Sequence, residues 1–241
     1  MAERLDSRSP LWNLIRDLPP KHRRLYERDV RKVEELGARS IDDVSKLLSA
    51  RRTKRQVRAV CCWLLGLARH KPSLRLLISA YYSRDKKLMW EAAKALAKIG
   101  GPGIADTFIK EVRRPGPEER KIAAASALGQ ISARRAVSAL IRVLATERAS
   151  SRLRGEAAEA LGYISDRRAV PALLRASFDD SVEVRFWAAF ALGQIGDDRA
   201  VPRLRQLVSS DHARLHRWGT ISKEASLAIK QIKKRKLWKS A

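Results

Sequence analysis

Cysteine is nearly absent from this chain. Cys61 and Cys62 are the only two, and both replace alanines found at the same position in other units of the sequence, so they read as small core residues. Histidine is as sparse: His22, His70, His212 and His216 complete no metal-ligand spacing with a cysteine or carboxylate. The longest apolar run, AVCCWLLGLA from Ala59 to Ala68, falls far short of the ~18 residues that cross a bilayer. Residues 1–20 lack a signal-peptide pattern, because Arg4, Asp6, Arg8, Arg16 and Asp17 interrupt them. No Ser-His-Asp or Cys-His arrangement and no phosphate-cradling glycine loop occurs. These absences lead us to expect a soluble, cytoplasmic protein without metal, cofactor or catalytic residues.

What the chain has in abundance is repetition. AVPALL (Ala169 to Leu174) returns as AVPRLR (Ala200 to Arg205), and ALGQIG (Ala191 to Gly196) has relatives upstream. With the leucine before the small residue as a marker, Leu65, Leu96, Leu128, Leu161 and Leu192 are spaced by 31, 32, 33 and 31 residues. A weaker sixth copy, AIKQI, places Ile229 after a gap of 37. Each unit reads as two helices. The first opens at Ser165-Asp166 or Asp197-Asp198, where a side-chain oxygen can cap, and tolerates Pro171 or Pro202 in its first turn. The second runs, in the fifth unit, from about Ser181 to Ile195 and stops at Gly196.

On a helical wheel, offsets −4, −3, 0 and +3 from the marker share one face. Ala124, Ala125, Leu128 and Ile131 occupy it in the third unit, and Ala188, Ala189, Leu192 and Ile195 in the fifth. The residue after the marker is Gly66, Ala97, Gly129, Gly162 or Gly193. Mid-helix glycine costs about 1 kcal/mol, which predicts that a neighbouring backbone packs against it.

The motifs D-x-R-A-V-P-x-L and V-R-x-x-A-A-x-A-L-G-x-I-G resemble those of HEAT-like repeats of the phycobilisome-lyase type, closest over Ser132 to Ser210. The resemblance implies an all-α fold, an α-solenoid of about five to six helix pairs stacked in a right-handed superhelix. Relatives of this kind include scaffolds, chromophore-attachment partners and enzymes. Among similar folds, the iron-dependent deoxyhypusine hydroxylases rely on His-Glu pairs; no histidine here is followed by glutamate. The expected organisation is an N-terminal helical cap over 1–40, a repeat array over 41–210, and a basic capping helix over 211–241. The outward residues Val60, Trp63 and Leu67 predict that the cap, or a partner, covers Trp63.

Charge is lopsided: 51 Lys and Arg against 26 Asp and Glu, a net +25. The excess gathers toward the ends, at +8 over 41–84 and +7 over 211–241, and is zero over 150–180. Arg51, Arg52, Lys54 and Arg55 form one cluster; Lys230, Lys233, Lys234, Arg235 and Lys236 form the other. Both suit an anionic partner, protein or nucleic acid. The outward, concave positions between them mix Lys87, Lys94, Lys98 and Arg152 with Glu91, Glu119, Glu156, Glu159 and Glu183, unlike a phosphate-tracking channel. A basic column seven residues before the marker (Arg58, Lys121, Arg154, Arg185) is expected to clamp adjacent repeats through turn carboxylates such as Asp179 or Asp180.

Glu156, Glu159, Tyr163, Trp187 and Phe190 form an aromatic and acidic outward set in the fourth and fifth units, a candidate partner-binding patch. The connection from Ser209 to Ser222 could instead fold over it. Glu159 beside Trp187 also has the composition, though no motif, of an alkylpurine DNA glycosylase site. The sequence thus points to a non-enzymatic scaffold that binds another macromolecule, first an acidic protein and second a nucleic acid. A role in bilin attachment is implied by the resemblance alone.

Overall fold

The computed structural model describes residues 11, 27, 28, 30, 31, 33–35, 37–50 and 52–240, with side chains described to 236. Most of the expected N-terminal cap, Arg51, and the side chains of Trp238 and Lys239 lie outside the described residues. The chain forms two compact units, Met1–Gly100 and Gly101–Ala241.

Among the described residues of the first unit, two helix pairs follow Gly37: α1 (Ile41–Ser49) with α2 (Arg55–Leu67), and α3 (Leu74–Tyr81) with α4 (Lys86–Ile99). A reciprocal cap starts α1, the Ser40 hydroxyl accepting from the Asp43 amide while the Asp43 carboxylate accepts from the Ser40 amide. Asp85 caps α4 by accepting from the Leu88 amide. Helices α2 and α4 pack along each other, with α1 and α3 alongside. Cys61, Cys62, Leu64, Leu65 and Leu77 are fully buried between them.

The second unit holds four pairs. They are α5 (Pro102–Arg113) with α6 (Glu118–Gln130), α7 (Val137–Leu144) with α8 (Ser151–Ile164), α9 (Val170–Ala176) with α10 (Val182–Ile195), and α11 (Val201–Ser210) with α12 (Ile221–Ser240). A two-stranded antiparallel hairpin, β1 (Arg214–Leu215) and β2 (Gly219–Thr220), interrupts the last pair. It accounts for the longer gap before the sixth copy.

The RAV segments form 3-10 turns that lead into α7, α9 and α11. Asp166 and Asp197 cap two of these turns by accepting from the amides of Arg168 and Arg199; Ala133 stands at the third and cannot. The second helices end in a left-handed residue, which is glycine at Gly196 (φ 72°) but serine at Ser132 and Ser165.

Each predicted close approach is present wherever it falls inside one unit. A methyl group on Gly66 would lie 2.6 Å from the Cα of Ala95; on Gly129, 2.9 Å from that of Ala160; on Gly162, 2.9 Å from that of Ala191. For Gly193 the neighbour is Ala228 at 2.7 Å, which sets Ile229 at the marker position of the sixth copy. Thus the glycine after one marker receives the alanine before the next. The Ala-Ala-Leu faces (Ala124, Ala125 and Leu128; Ala157, Ala158 and Leu161; Ala188, Ala189 and Leu192) are buried as the wheel predicts.

Candidate functional site

The outward surfaces of α8 and α10 bring the predicted acidic and aromatic residues together. The Tyr163 hydroxyl donates to Glu159 at 3.2 Å. Its ring meets Phe190 edge-on at 5.6 Å, Phe190 meets Trp187 at 5.5 Å, and Trp187 meets Phe186 at 5.3 Å. Gly155 makes room at the other end, since a methyl there would lie 3.0 Å from the Glu183 side chain and 3.2 Å from the Trp187 ring. Tyr163 is 52% exposed, whereas Trp187 is only 7% exposed.

The cover over Trp187 comes from the hairpin. Trp218, between its strands and 63% exposed, sits edge-on to Trp187 at 5.1 Å. The 209–222 connection therefore folds back over part of the aromatic set, and Phe190 keeps partial exposure. The rings of this set that are more than half exposed are Tyr163 and Trp218, whereas Trp187, at 7%, offers little face on which a base could stack.

Burial pushes Glu156 up to about 7, and the charge of Glu159 adds to this; a hydrogen bond with Ser126 and the charge of Arg152 oppose it. Glu159 is raised by burial as well, against the Tyr163 hydrogen bond. The patch thus holds carboxyls that a nearby cation would ionise more fully. Arg152 is itself engaged with Glu119 through two bonds, at 3.0 and 3.3 Å.

At the predicted basic ends, Arg52, Lys54 and Arg55 are exposed and form no ion pair among the described residues. Arg52 and Lys54 rim a groove of 740 Å3 whose walls include Val33, Leu47, Val57 and Val60. Lys230, Lys233 and Lys234 are likewise exposed. Two residues of that second cluster are tied to the fold: Arg235 donates to the Gln194 carbonyl, and Lys236 lies 3.5 Å from Asp198. Trp63 is half-buried and shares a groove of 360 Å3 with Val60, Lys87, Glu91, Lys94 and Lys98. Residues of the expected cap that would cover it lie mainly outside the described residues.

Three members of the basic column act within the fold. Arg154 grips the Asp179 carboxylate with two bonds, at 2.9 and 3.2 Å, and donates to the Ala149 carbonyl. Arg185 donates to Asp211 at 2.7 Å and to the carbonyls of Asp179 and Asp180. Arg58 departs from the expected clamp, since it donates to the Leu48 carbonyl of its own repeat and not to a carboxylate of the next. Lys121 differs: it makes no ion pair among the described residues and lines an open groove. The sequence reading of Lys121 as a clamp is corrected here, because Arg148 stands where Arg154 finds Asp179, and the neighbouring Glu147 of that turn neither pairs with Lys121 nor lines the groove. Cys61 and Cys62 are buried, and burial pushes the Cys61 thiol up to about 12, which leaves it unreactive. Among the described residues, no group of histidine, cysteine and carboxylates could hold a metal, and no helix is long and apolar enough to cross a membrane.

Comparison with known families finds two matches. Residues 121–146 match the PBS lyase HEAT-like repeat, and residues 144–222 match HEAT repeats. Residues 121–222 thus match HEAT-like repeats. The chain's helix pairs form an all-α solenoid array, and solved structures share that fold. One engineered protein is 23% identical with a TM-score of 0.51, covering 80% of this chain and 97% of its own. A second engineered protein is 21% identical with a TM-score of 0.51, covering 92% of this chain and 67% of its own. The complex of CpcE and CpcF of phycocyanin lyase from Nostoc also matches, at 18% identity and a TM-score of 0.48, covering 97% of this chain and 98% of its own. No curated protein sequence matches the chain.

Proposed function

We propose that this protein is a non-enzymatic HEAT-like repeat scaffold that binds an acidic protein partner. The observation that carries the reading is the uneven use of charge. The carboxylates of Glu119, Asp166, Asp179, Asp197 and Asp211 are engaged by arginines of the chain itself. The cations Arg52, Lys54, Arg55, Lys230, Lys233 and Lys234 are exposed and have no such partner among the described residues. An unpaired cation at a surface gains most from a partner that brings the missing carboxylate.

Tyr163, Phe190 and Trp218, with Glu156 and Glu159, supply the second half of the surface: aromatic area plus charge of the opposite sign. A partner carrying both acidic stretches and a basic side chain would be held in one orientation. In this reading residues 1–40 and 211–241 close the ends of the array over 41–210.

Nucleic acid is the competing ligand for the same basic ends. Neutralising phosphates makes affinity fall steeply with salt, whereas contacts with apolar area persist. Fluorescence anisotropy of labelled single-stranded DNA and of a labelled glutamate- and leucine-containing peptide, each titrated with salt, separates the two. Peptide binding that survives at about 150 mM salt supports the reading. Binding confined to DNA, with a steep salt slope, would replace it.

A further inference from the structure

We propose that the groove between the third and fourth repeats is an anion site that takes an aspartate or glutamate side chain from the acidic partner. The inference rests on the preceding reading and gives it a location that charge counts did not reveal. Its basis is a comparison of the chain with itself. Seven residues before their markers, Arg154 and Arg185 each reach into the turn of the next repeat and bind a carboxylate, Asp179 or Asp211. Lys121 stands at the same position before Leu128.

In the turn opposite Lys121 the position that matches Asp179 has changed sign, and the turn's one carboxylate, Glu147, is exposed and outside the groove. Asp179 lies two residues before Ser181, the residue that precedes α10. Two residues before Ser150, which precedes α8 in the same way, stands Arg148. In place of an ion pair there is a groove of 400 Å3 lined by Arg113, Lys121 and Arg142, with Val112, Val143 and Leu153 among its walls. None of its lining residues is a carboxylate, and none of the three cations forms an ion pair among the described residues. Thr146, also at the groove, uses its hydroxyl to donate to the Arg142 carbonyl and brings no charge.

Three like charges around a partly apolar cleft repel one another until an anion enters. The neighbouring repeats identify the anion that this position is built to receive, since at both of them it is a carboxylate on a short side chain. The apolar walls favour the methylenes of such a residue, or an apolar neighbour in the same peptide, over a bare inorganic ion.

The test uses the full chain and a fluorescein-labelled peptide of repeating Glu-Leu-Glu-Ala, followed by anisotropy. The double substitution Lys121→Ala with Arg142→Ala should weaken binding about tenfold or more. Arg148→Asp supplies the missing internal carboxylate. It should raise the melting temperature by pairing with Lys121 and block the peptide, whereas the charge-matched control Arg175→Asp in the next repeat should change affinity less than about threefold. Unchanged affinity in both groove variants, with binding abolished by Lys230→Glu, Lys233→Glu and Lys234→Glu together, would overturn the groove and leave the acidic-partner reading standing. Failure of the unmodified protein to bind the peptide would overturn both. Displacement of the peptide by single-stranded DNA, with loss of DNA binding in the groove variants, would make the cleft a phosphate site and overturn the carboxylate assignment.

Discussion

Replacing Gly162 with alanine would add one methyl group at the line where α8 and α10 touch. That carbon would lie 2.9 Å from the Cα of Ala191, 3.1 Å from its Cβ and 3.1 Å from the Phe190 ring. Carbon atoms rest at about 3.5–4.0 Å, so the helices must separate by several tenths of an ångström along a well-packed seam. Overpacking of this kind costs about 1–3 kcal/mol, and the better helix propensity of alanine returns about 1 kcal/mol. The expected net loss is up to about 2 kcal/mol, or a fall in melting temperature of up to roughly 8 °C for a chain of this size. Gly103 in α5 provides the contrast, because nothing lies within 4 Å of a methyl placed there. Gly103→Ala should leave stability unchanged or raise it by up to about 1 kcal/mol. Thermal melts by circular dichroism, with hydrogen exchange of α8 and α10 amides, measure both. A Gly162→Ala variant as stable as Gly103→Ala would refute the glycine–alanine seam as the reason the repeats stack.

Three further perturbations follow from the same geometry. Glu156, raised from 4.5 to about 7, binds its proton more tightly in the folded than in the unfolded chain, so stability falls as pH rises through that window. Because the residue keeps some contact with solvent, Glu156→Gln should gain only about 1–2 kcal/mol at pH 8 and nothing at pH 4, as read from melts across pH. Arg154→Ala should cost about 2–3 kcal/mol, and combining it with Asp179→Ala should cost less than the sum of the two, a coupling that a double-mutant cycle detects. Trp218→Ala should uncover Trp187, moving its indole resonance and costing about 1 kcal/mol; an unmoved resonance would show that the hairpin does not cover it.

The stacking was legible because its causes are local and recur. The small residue after each marker, and the alanines four and three residues before it, predict a close backbone approach that Gly129 and Ala160, then Gly162 and Ala191, carry out. The hairpin cover was not legible in the same way. Residues 211–220 carry no repeat pattern, and the Trp187–Trp218 contact joins rings 31 residues apart in sequence, so the chain left open whether the aromatic set is bare. Lys121 failed as a clamp for a different reason. A column of cations states the donors only, and the acceptor belongs to the following turn, where Asp179 and Arg148 have opposite signs. Glu156 sits on the face that a wheel assigns to solvent, yet its contacts with α6 and its neighbours remove enough water to hold the carboxyl near neutral.

The most direct test of the scaffold reading is a competition experiment on the purified full chain at about 150 mM salt, with the labelled Glu-Leu-Glu-Ala peptide challenged by unlabelled single-stranded DNA of equal charge. The account predicts that the peptide binds and that DNA of matched charge displaces it poorly. A chain that ignores the peptide, or releases it fully to DNA, would contradict an acidic protein as its partner.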